Sequence, residues 1–143
     1  MLMGEYQHNM DGKGRLIIPA KLRTELGDTF IVTRGLDGCV FGYPKPAWEA
    51  VQEQMQQLPL AKKNARAFMR FFYSAAAEVT VDKQGRINLP QSLISYAKLD
   101  KACRIIGVNE RIEIWDEATW QEMTSNIADS FEEIAEDLFD FGL

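Results

Sequence analysis

Short apolar runs alternate with turn residues over the first 43 positions, and this pattern predicts small β-strands. We expect four strands in this part of the chain, at residues 5–10, 15–18, 30–33 and 39–43. Residues 11–14 have the composition of a turn between the first two strands. Pro19 suits the first turn of a helix over residues 20–26, and Gly27 suits the C-cap of that helix.

Apolar residues at helical spacing follow this strand-rich region. Pro46 opens a predicted helix that Pro59 ends, and the apolar face of that helix comprises Trp48, Val51, Met55 and Leu58. A second helix starts near Leu60, and one side of it carries Ala61, Ala65, Phe68 and Phe72. The last predicted helix covers about residues 117–139, with an apolar stripe formed by Trp120, Ile127, Phe131, Ile134 and Leu138.

The chain contains its first pattern twice. Asp, Gly, Arg, Pro and Leu recur 71 residues apart, at positions 11/82, 14/85, 15/86, 19/90 and 22/93. The match then continues at an offset of 72 and ends on Trp48 and Trp120, which implies one additional residue in the second copy. A repeat of this length is longer than a solenoid period and fits a duplicated small domain.

The second copy predicts the same elements as the first. Its strands are expected at residues 77–81, 86–89, 102–106 and 111–115, with a short helix at 90–98. Four strands of about five residues cannot enclose a core alone, so we expect the copies to pair strand against strand into one barrel-like unit. The predicted class is α+β and strand-rich. The predicted parts are a first repeat, connecting helices, a second repeat and an acidic C-terminal assembly helix, at residues 5–47, 48–73, 76–119 and 117–143.

The charge of the chain is unevenly distributed. The 143 residues carry a net charge of −5, which by itself argues against nucleic acid as a partner. No Lys or Arg follows Arg111, however, and residues 112–143 hold ten of the 21 acidic residues. Residues 1–111 therefore contain 16 basic and 11 acidic residues, a net charge of +5, which is compatible with binding DNA.

Several classes of protein are not favoured by the sequence. No apolar run reaches the roughly 18 residues that a membrane span requires, and the N-terminus lacks the basic and apolar regions of a signal peptide. We expect a cytoplasmic protein in which Cys39 and Cys103 form no structural disulfide. With His8 as the one histidine and no glycine-rich phosphate loop before a helix, we expect no metal, no cofactor and no enzymatic activity.

The doubled Asp-x-x-Gly-Arg-x-x-x-Pro motif, the duplicated strand pattern and the start Gly4-Glu5-Tyr6 closely resemble the MraZ family. Each half of that family resembles the DNA-binding half-barrel of AbrB-type regulators, and the resemblance here runs from Met3 to the last helix. It implies that the copies interlock as a swapped-hairpin barrel and that protomers join into a closed homo-oligomeric ring. It also implies a bacterial transcriptional regulator, typically a repressor of the division and cell-wall gene cluster that includes its own gene. Such a regulator would be nucleoid-associated, and a ring of like units would favour promoter DNA with short direct repeats.

The resemblance further implies that the two Asp-x-x-Gly-Arg regions contact double-stranded DNA through Arg15 and Arg86. Guanidinium groups fit phosphate oxygens and the O6/N7 edge of guanine, although either arginine could instead be solvated or paired with the nearby aspartate. The candidate DNA-binding residues are Lys13, Arg15, Lys21, Arg23, Lys83 and Arg86. The candidate turn-forming residues are Asp11, Gly14, Asp82 and Gly85.

Two questions stay open at the level of sequence. Because Gln84, Ser92 and Ile94 replace three of its basic residues, copy two is expected to attract phosphate less strongly than copy one. A basic stripe on the second connecting helix could pair with a partner, contact DNA or be solvated, and it comprises Lys62, Lys63, Arg66 and Arg70. The alternative function is that of an AbrB-like antitoxin or interaction protein whose acidic tail binds a protein partner.

Overall fold

A computed structural model describes residues 1–139 as eight strands and six helices. The strands are β1 Leu2–Asn9, β2 Arg15–Ile17, β3 Thr29–Arg34, β4 Val40–Tyr43, β5 Ala77–Thr80, β6 Arg86–Asn88, β7 Ala102–Asn109 and β8 Arg111–Asp116. The helices are α1 Ala20–Leu26, α2 Lys45–Gln56, α3 Lys63–Ser74, α4 Gln91–Tyr96, α5 Glu117–Ala128 and α6 Phe131–Leu138. The predicted α+β class and the predicted order of elements in each repeat are confirmed.

The two repeats are joined by strand pairing. Six strands form one antiparallel sheet in the order β1-β7-β8-β4-β3-β5, and β2 pairs with β6 in a separate two-stranded ribbon. Each strand of the first repeat thus pairs with a strand of the second: β1 with β7, β2 with β6, β3 with β5 and β4 with β8. The predicted pairing of strand against strand is confirmed, whereas closure as a swapped-hairpin barrel stays a prediction.

Both repeats contribute to one hydrophobic core. Motif-equivalent leucines on the short helices, Leu22 of α1 and Leu93 of α4, are 2% and 0% exposed in the same cluster. The central ribbon residues Leu16 and Ile87 are equally buried there, at 0% and 1% exposure. Because residues of both halves pack into this one cluster, we expect neither half to hold a core without the other.

A second, aromatic cluster attaches the helices to the sheet. Trp48 of α2 stacks on Phe72 of α3 with ring centroids 5.7 Å apart, and Trp120 of α5 lies 5.6 Å from Trp115 of β8. The two tryptophans that the repeat alignment pairs therefore both lie where a helix meets the sheet. Both residues therefore anchor a helix to the sheet by packing.

The prediction of a single last helix over residues 117–139 is wrong. The chain forms α5 and then α6, with Asp129 and Ser130 between them. Ser130 donates from Oγ toward the Asn126 carbonyl at 3.4 Å, and its own carbonyl accepts from Ile134 N at 2.9 Å, so it ends one helix and begins the next. Asp and Ser compete with the helical backbone for hydrogen bonds, which favours helix ends at such positions. Residues 140–143 of the predicted terminal segment lie outside the described residues.

Other element boundaries differ by a few residues. β1 starts at Leu2 because it pairs with β7 along eight residues, from Leu2 opposite Asn109 to Asn9 opposite Ala102. The second connecting helix begins at Lys63 rather than near Leu60. In the part of the chain that the structure describes, no helix is both long enough and apolar enough to cross a lipid bilayer.

Candidate nucleic-acid interface

The first Asp-x-x-Gly-Arg motif forms a turn in which the aspartate holds the arginine. Asp11 Oδ1 accepts hydrogen bonds from the backbone N–H groups of Lys13 and Arg15, both at 2.9 Å, and Oδ2 accepts from Arg15 Nε at 2.7 Å. Gly14 donates to the Asp11 carbonyl at 3.1 Å with a φ of 76°, a conformation that favours glycine. The sequence thus encodes both the turn and the direction of the arginine side chain.

The second motif reproduces this geometry. Asp82 Oδ1 accepts from the N–H groups of Gln84 at 2.8 Å and Arg86 at 2.9 Å, and Oδ2 accepts from Arg86 Nε at 2.9 Å. Gly85 has a φ of 81° and donates to the Asp82 carbonyl at 3.0 Å. The open choice between a solvated and a paired arginine is therefore decided in favour of pairing in both copies.

The aspartates are held in their charged form. The backbone hydrogen bond from Arg15, assisted by its side chain, lowers the pKa of Asp11 to about 2. The backbone hydrogen bond from Arg86 lowers the pKa of Asp82 in the same way. Each contact uses only Nε, and within residues 1–139 neither arginine makes a hydrogen bond through its Nη atoms. The carboxylates therefore orient the guanidinium groups while leaving their outer donors available.

The β2–β6 ribbon places both arginines on one outward face. Arg15 pairs with Asn88 and Ile17 pairs with Arg86, around a central buried pair. Because side chains alternate along a strand, these four residues project away from the core. The Cα atoms of Arg15 and Arg86 are separated by two residues along a strand and by one strand spacing across the ribbon, which places them about 8 Å apart. The outward face therefore carries two cations at opposite corners of a short ribbon.

Each turn also meets the short helix of the other repeat. The Arg23 guanidinium on α1 occupies the space that a side chain at Gly85 would need. The equivalent residue on α4, Ile94, lies with its Cδ1 atom 3.1 Å from an ideal Cβ position at Gly14. The main chains of the two repeats are also hydrogen-bonded here, because Ile18 N of the first repeat donates to the Gly85 carbonyl of the second at 2.9 Å.

This crossing changes how the basic residues are grouped. Arg23 belongs to copy one in sequence but lies beside the copy-two turn, where it joins Lys83 and Arg86. The copy-one turn has Lys13 and Arg15 at the corresponding place. The distribution of positive charge is thus more even between the two turns than the sequence asymmetry indicates.

The three candidate lysines are exposed. Lys13 and Lys83 lie on the turns themselves, and Lys21 lies on α1. Their ammonium groups form no ion pair or hydrogen bond within the described part of the chain. They can therefore contribute charge around the ribbon without first breaking a protein contact.

Two residues of the ribbon face were not among the sequence candidates. Ile17 is 38% exposed although it is apolar, and Asn88 is exposed beside it. The alternation of residues 15–18 could have identified Ile17 as an outward-facing residue. Leu16 and Ile18 are fully buried, so the positions that alternate with them must face outward.

The basic stripe of the connecting region is only partly free. Arg66 Nη1 donates to the carbonyls of Leu60 and Ala61 at 2.9 and 3.0 Å, so this residue stabilises the loop before α3. Lys62, Lys63 and Arg70 are exposed. Within residues 1–139, no hydrogen bond or ion pair connects this stripe to the β2–β6 ribbon.

The two cysteines are buried free thiols. Cys39 donates from Sγ to the Leu36 carbonyl at 3.2 Å, and Cys103 donates from Sγ to the Lys101 carbonyl at 3.7 Å. Burial raises the pKa of both thiols, that of Cys103 to about 11. Among residues 1–139, no group of three or more His, Cys, Asp and Glu side chains is arranged to hold a metal ion.

Comparison with known proteins agrees with the duplication. A family model described as "MraZ protein, putative antitoxin-like" matches the chain twice, at residues 1–71 and 72–142. The chain is also 54% identical, over all 143 residues of both proteins, to a protein of Ligilactobacillus salivarius (strain UCC118) named "Transcriptional regulator MraZ". Since the two matches leave only one residue uncovered and the relative aligns from end to end, the chain belongs to the MraZ family.

Proposed function

We propose that this protein is a transcriptional regulator that binds double-stranded DNA through the β2–β6 ribbon and its two flanking turns. The observation that carries the proposal is the pair of aspartate-held arginines, Arg15 and Arg86, on the outward face of that ribbon. The name of the full-length relative supports the regulatory role.

The shape of the ribbon suits a DNA groove. The major groove of B-DNA admits a two-stranded β-ribbon, and arginine Nη donors match the O6 and N7 acceptors of guanine. The proposed base contacts come from Arg15 and Arg86, with Asn88 able to pair with adenine and Ile17 able to pack on a thymine methyl group. Holding each arginine by its Nε in advance reduces the side-chain freedom that binding would otherwise remove.

The surrounding cations supply the attraction to phosphate. Lys13, Lys21, Arg23 and Lys83 lie around the ribbon, on the part of the chain whose net charge is +5. A single small basic surface binds DNA weakly, so we propose that several protomers in a closed ring engage several sites together. Such a ring favours an operator of short direct repeats. By the family resemblance, this operator lies upstream of the division and cell-wall gene cluster that includes the protein's own gene. We expect the protein to repress this cluster and to be associated with the nucleoid.

A gel shift on the DNA upstream of the protein's own gene tests this proposal. Arg15→Ala and Arg86→Ala should each weaken binding roughly tenfold or more and reduce the salt slope by about 1. Arg15→Lys should recover the charge but not the paired donors, so its affinity should fall between those of wild type and Arg15→Ala.

The matched control is Arg70→Ala, which removes an exposed arginine from α3 and should leave the shift unchanged. Equal losses from Arg15→Ala and Arg70→Ala would mean that general charge, rather than the ribbon, accounts for binding. Absence of any shift by the wild-type protein at low salt would refute the proposal as a whole.

A further inference from the structure

Helices α2 and α3 leave an apolar groove between them. Its deeper half is a cavity of about 260 Å³ whose walls include Tyr43, Met55, Phe68, Phe71 and Tyr96. The groove continues between the helices past Leu58 to Lys62, and Met55 and Phe68 line both halves. No Asp or Glu of the described chain lines either half. This groove has an apolar floor and one basic residue near each end, Arg34 and Lys62.

Arg34 is incompletely paired at the deep end of the groove. Its Nη1 donates to the Phe71 carbonyl at 2.7 Å and to Ser74 Oγ at 3.3 Å, and its Cζ lies 3.7 Å from the centre of the Phe71 ring. Its Nε is buried without a hydrogen-bond partner, and no carboxylate within residues 1–139 forms an ion pair with it. Arg34 lines the groove and carries a positive charge that no carboxylate of the described chain neutralises, so this end of the groove favours an acidic partner.

Helix α6 has the complementary properties. Its apolar residues Phe131, Ile134 and Leu138 are 64%, 41% and 71% exposed, although they form one stripe along the helix. All of its charged residues are acids, namely Glu132, Glu133, Glu136 and Asp137. An exposed apolar stripe bordered by polar residues is typical of a protein interface.

We propose that α6 of a second copy of this chain lies in the α2–α3 groove of the first. The stripe from Phe131 to Leu138 and the groove wall from Ala65 to Phe72 each span seven helical steps, about 10 Å. The apolar residues of α6 then cover the groove floor, and the acids beside the stripe reach Arg34 and Lys62. The exposure of the stripe shows that α6 does not occupy the groove of its own protomer.

The contact joins two different surfaces of the protomer, so it is head-to-tail. Repeated head-to-tail contacts close into a ring when the rotation between copies allows it. The inference rests on the assembly in the proposed function and specifies which surfaces make that assembly.

Two variants remove one surface each. Phe68→Glu places an acid on the groove floor, and the double change Phe131→Ser with Leu138→Ser removes the most exposed apolar side chains of α6. Met3→Ser, which changes a 59% exposed apolar residue on β1, is the matched control. The masses of all four purified proteins are measured by sedimentation velocity, and folding is checked by circular dichroism.

We expect the wild type and Met3→Ser to assemble beyond a dimer and each interface variant to sediment as a 16.3 kDa protomer. An equimolar mixture of the two variants should form a heterodimer, because each retains the surface that the other lacks. This recovery also shows that the groove of the serine variant is intact, and circular dichroism checks that Phe68→Glu remains folded. Wild-type mass for either variant, a mixture that stays monomeric, or a monomeric wild type would overturn the inference.

The assembly test is independent of the DNA proposal. A gel shift on a fragment with a single repeat should be retained by the monomeric variants at low salt, since the β2–β6 ribbon is unchanged. Ring assembly without any shift would refute DNA binding and leave the interface intact. A wild-type shift with unaltered assembly of both variants would refute the interface alone.

Discussion

The turn that presents Arg15 depends on the backbone conformation of Gly14, and Gly14→Ala tests this dependence. Gly14 has a φ of 76°, and a Cβ atom there would lie 3.1 Å from Ile94 Cδ1 and 3.4 Å from the Leu89 carbonyl oxygen. The left-handed conformation costs an L-residue about 1–2 kcal/mol, and the close contacts add to that cost. We therefore expect Gly14→Ala to reduce the free energy of unfolding by about 1–2 kcal/mol or slightly more.

Gly12 provides a control in the same turn. A Cβ atom at Gly12 would meet nothing within 4 Å, and its φ lies outside the left-handed region. Gly12→Ala removes backbone freedom mainly from the unfolded chain, so it should be neutral or stabilise the protein by up to about 1 kcal/mol. Both substitutions add the same methyl group two residues apart, and only the native conformation distinguishes them.

Urea denaturation at one fixed protein concentration measures the difference. With an m-value of about 2 kcal/mol/M, Gly14→Ala should lower the midpoint by about 0.5–1 M, while Gly12→Ala should not lower it. A gel shift below the transition should then show weaker binding for Gly14→Ala, because the strained turn displaces Arg15. Equal midpoints for the two variants would refute the argument that the left-handed conformation at Gly14 shapes this turn.

Two further predictions concern the shared core and the effect of acid. Leu22→Ala and Leu93→Ala remove equally buried leucines from the two repeats, so each should lower the free energy of unfolding by about 2–5 kcal/mol. Each variant should still unfold in one transition by both fluorescence and circular dichroism. Separate transitions for the two halves would contradict a common core. Because the pKa of Asp11 is lowered from 3.8 to about 2 by folding, its contribution to stability is fully present above about pH 4 and is lost as the pH falls through 2. Acid unfolding of wild type should therefore depend more steeply on pH in this range than that of Asp11→Asn, and identical profiles would exclude the linkage.

Much of the candidate site follows from local chemistry. Asp11 and Asp82 form their turns with residues no more than four positions away, so the motif itself contains the partners of these hydrogen bonds. The alternation around Leu16 and Ile87 similarly determines which ribbon residues face the core. These features depend on neighbours along the chain, and a sequence displays such neighbours directly.

The sequence alone determined that this protein is a duplicated, strand-rich molecule with two like turns, each carrying an arginine beside an aspartate. Tertiary structure decided which half supplies each neighbour: β2 pairs with β6, and Arg23 of the first repeat lies against Gly85 of the second. Tertiary structure also divided the last helix at Ser130 and left the apolar stripe of α6 exposed. Separately, it placed Arg34 at the end of an apolar groove. The physical reason is range: turns and helix faces arise within a few residues, whereas strand partners and grooves arise between segments tens of residues apart.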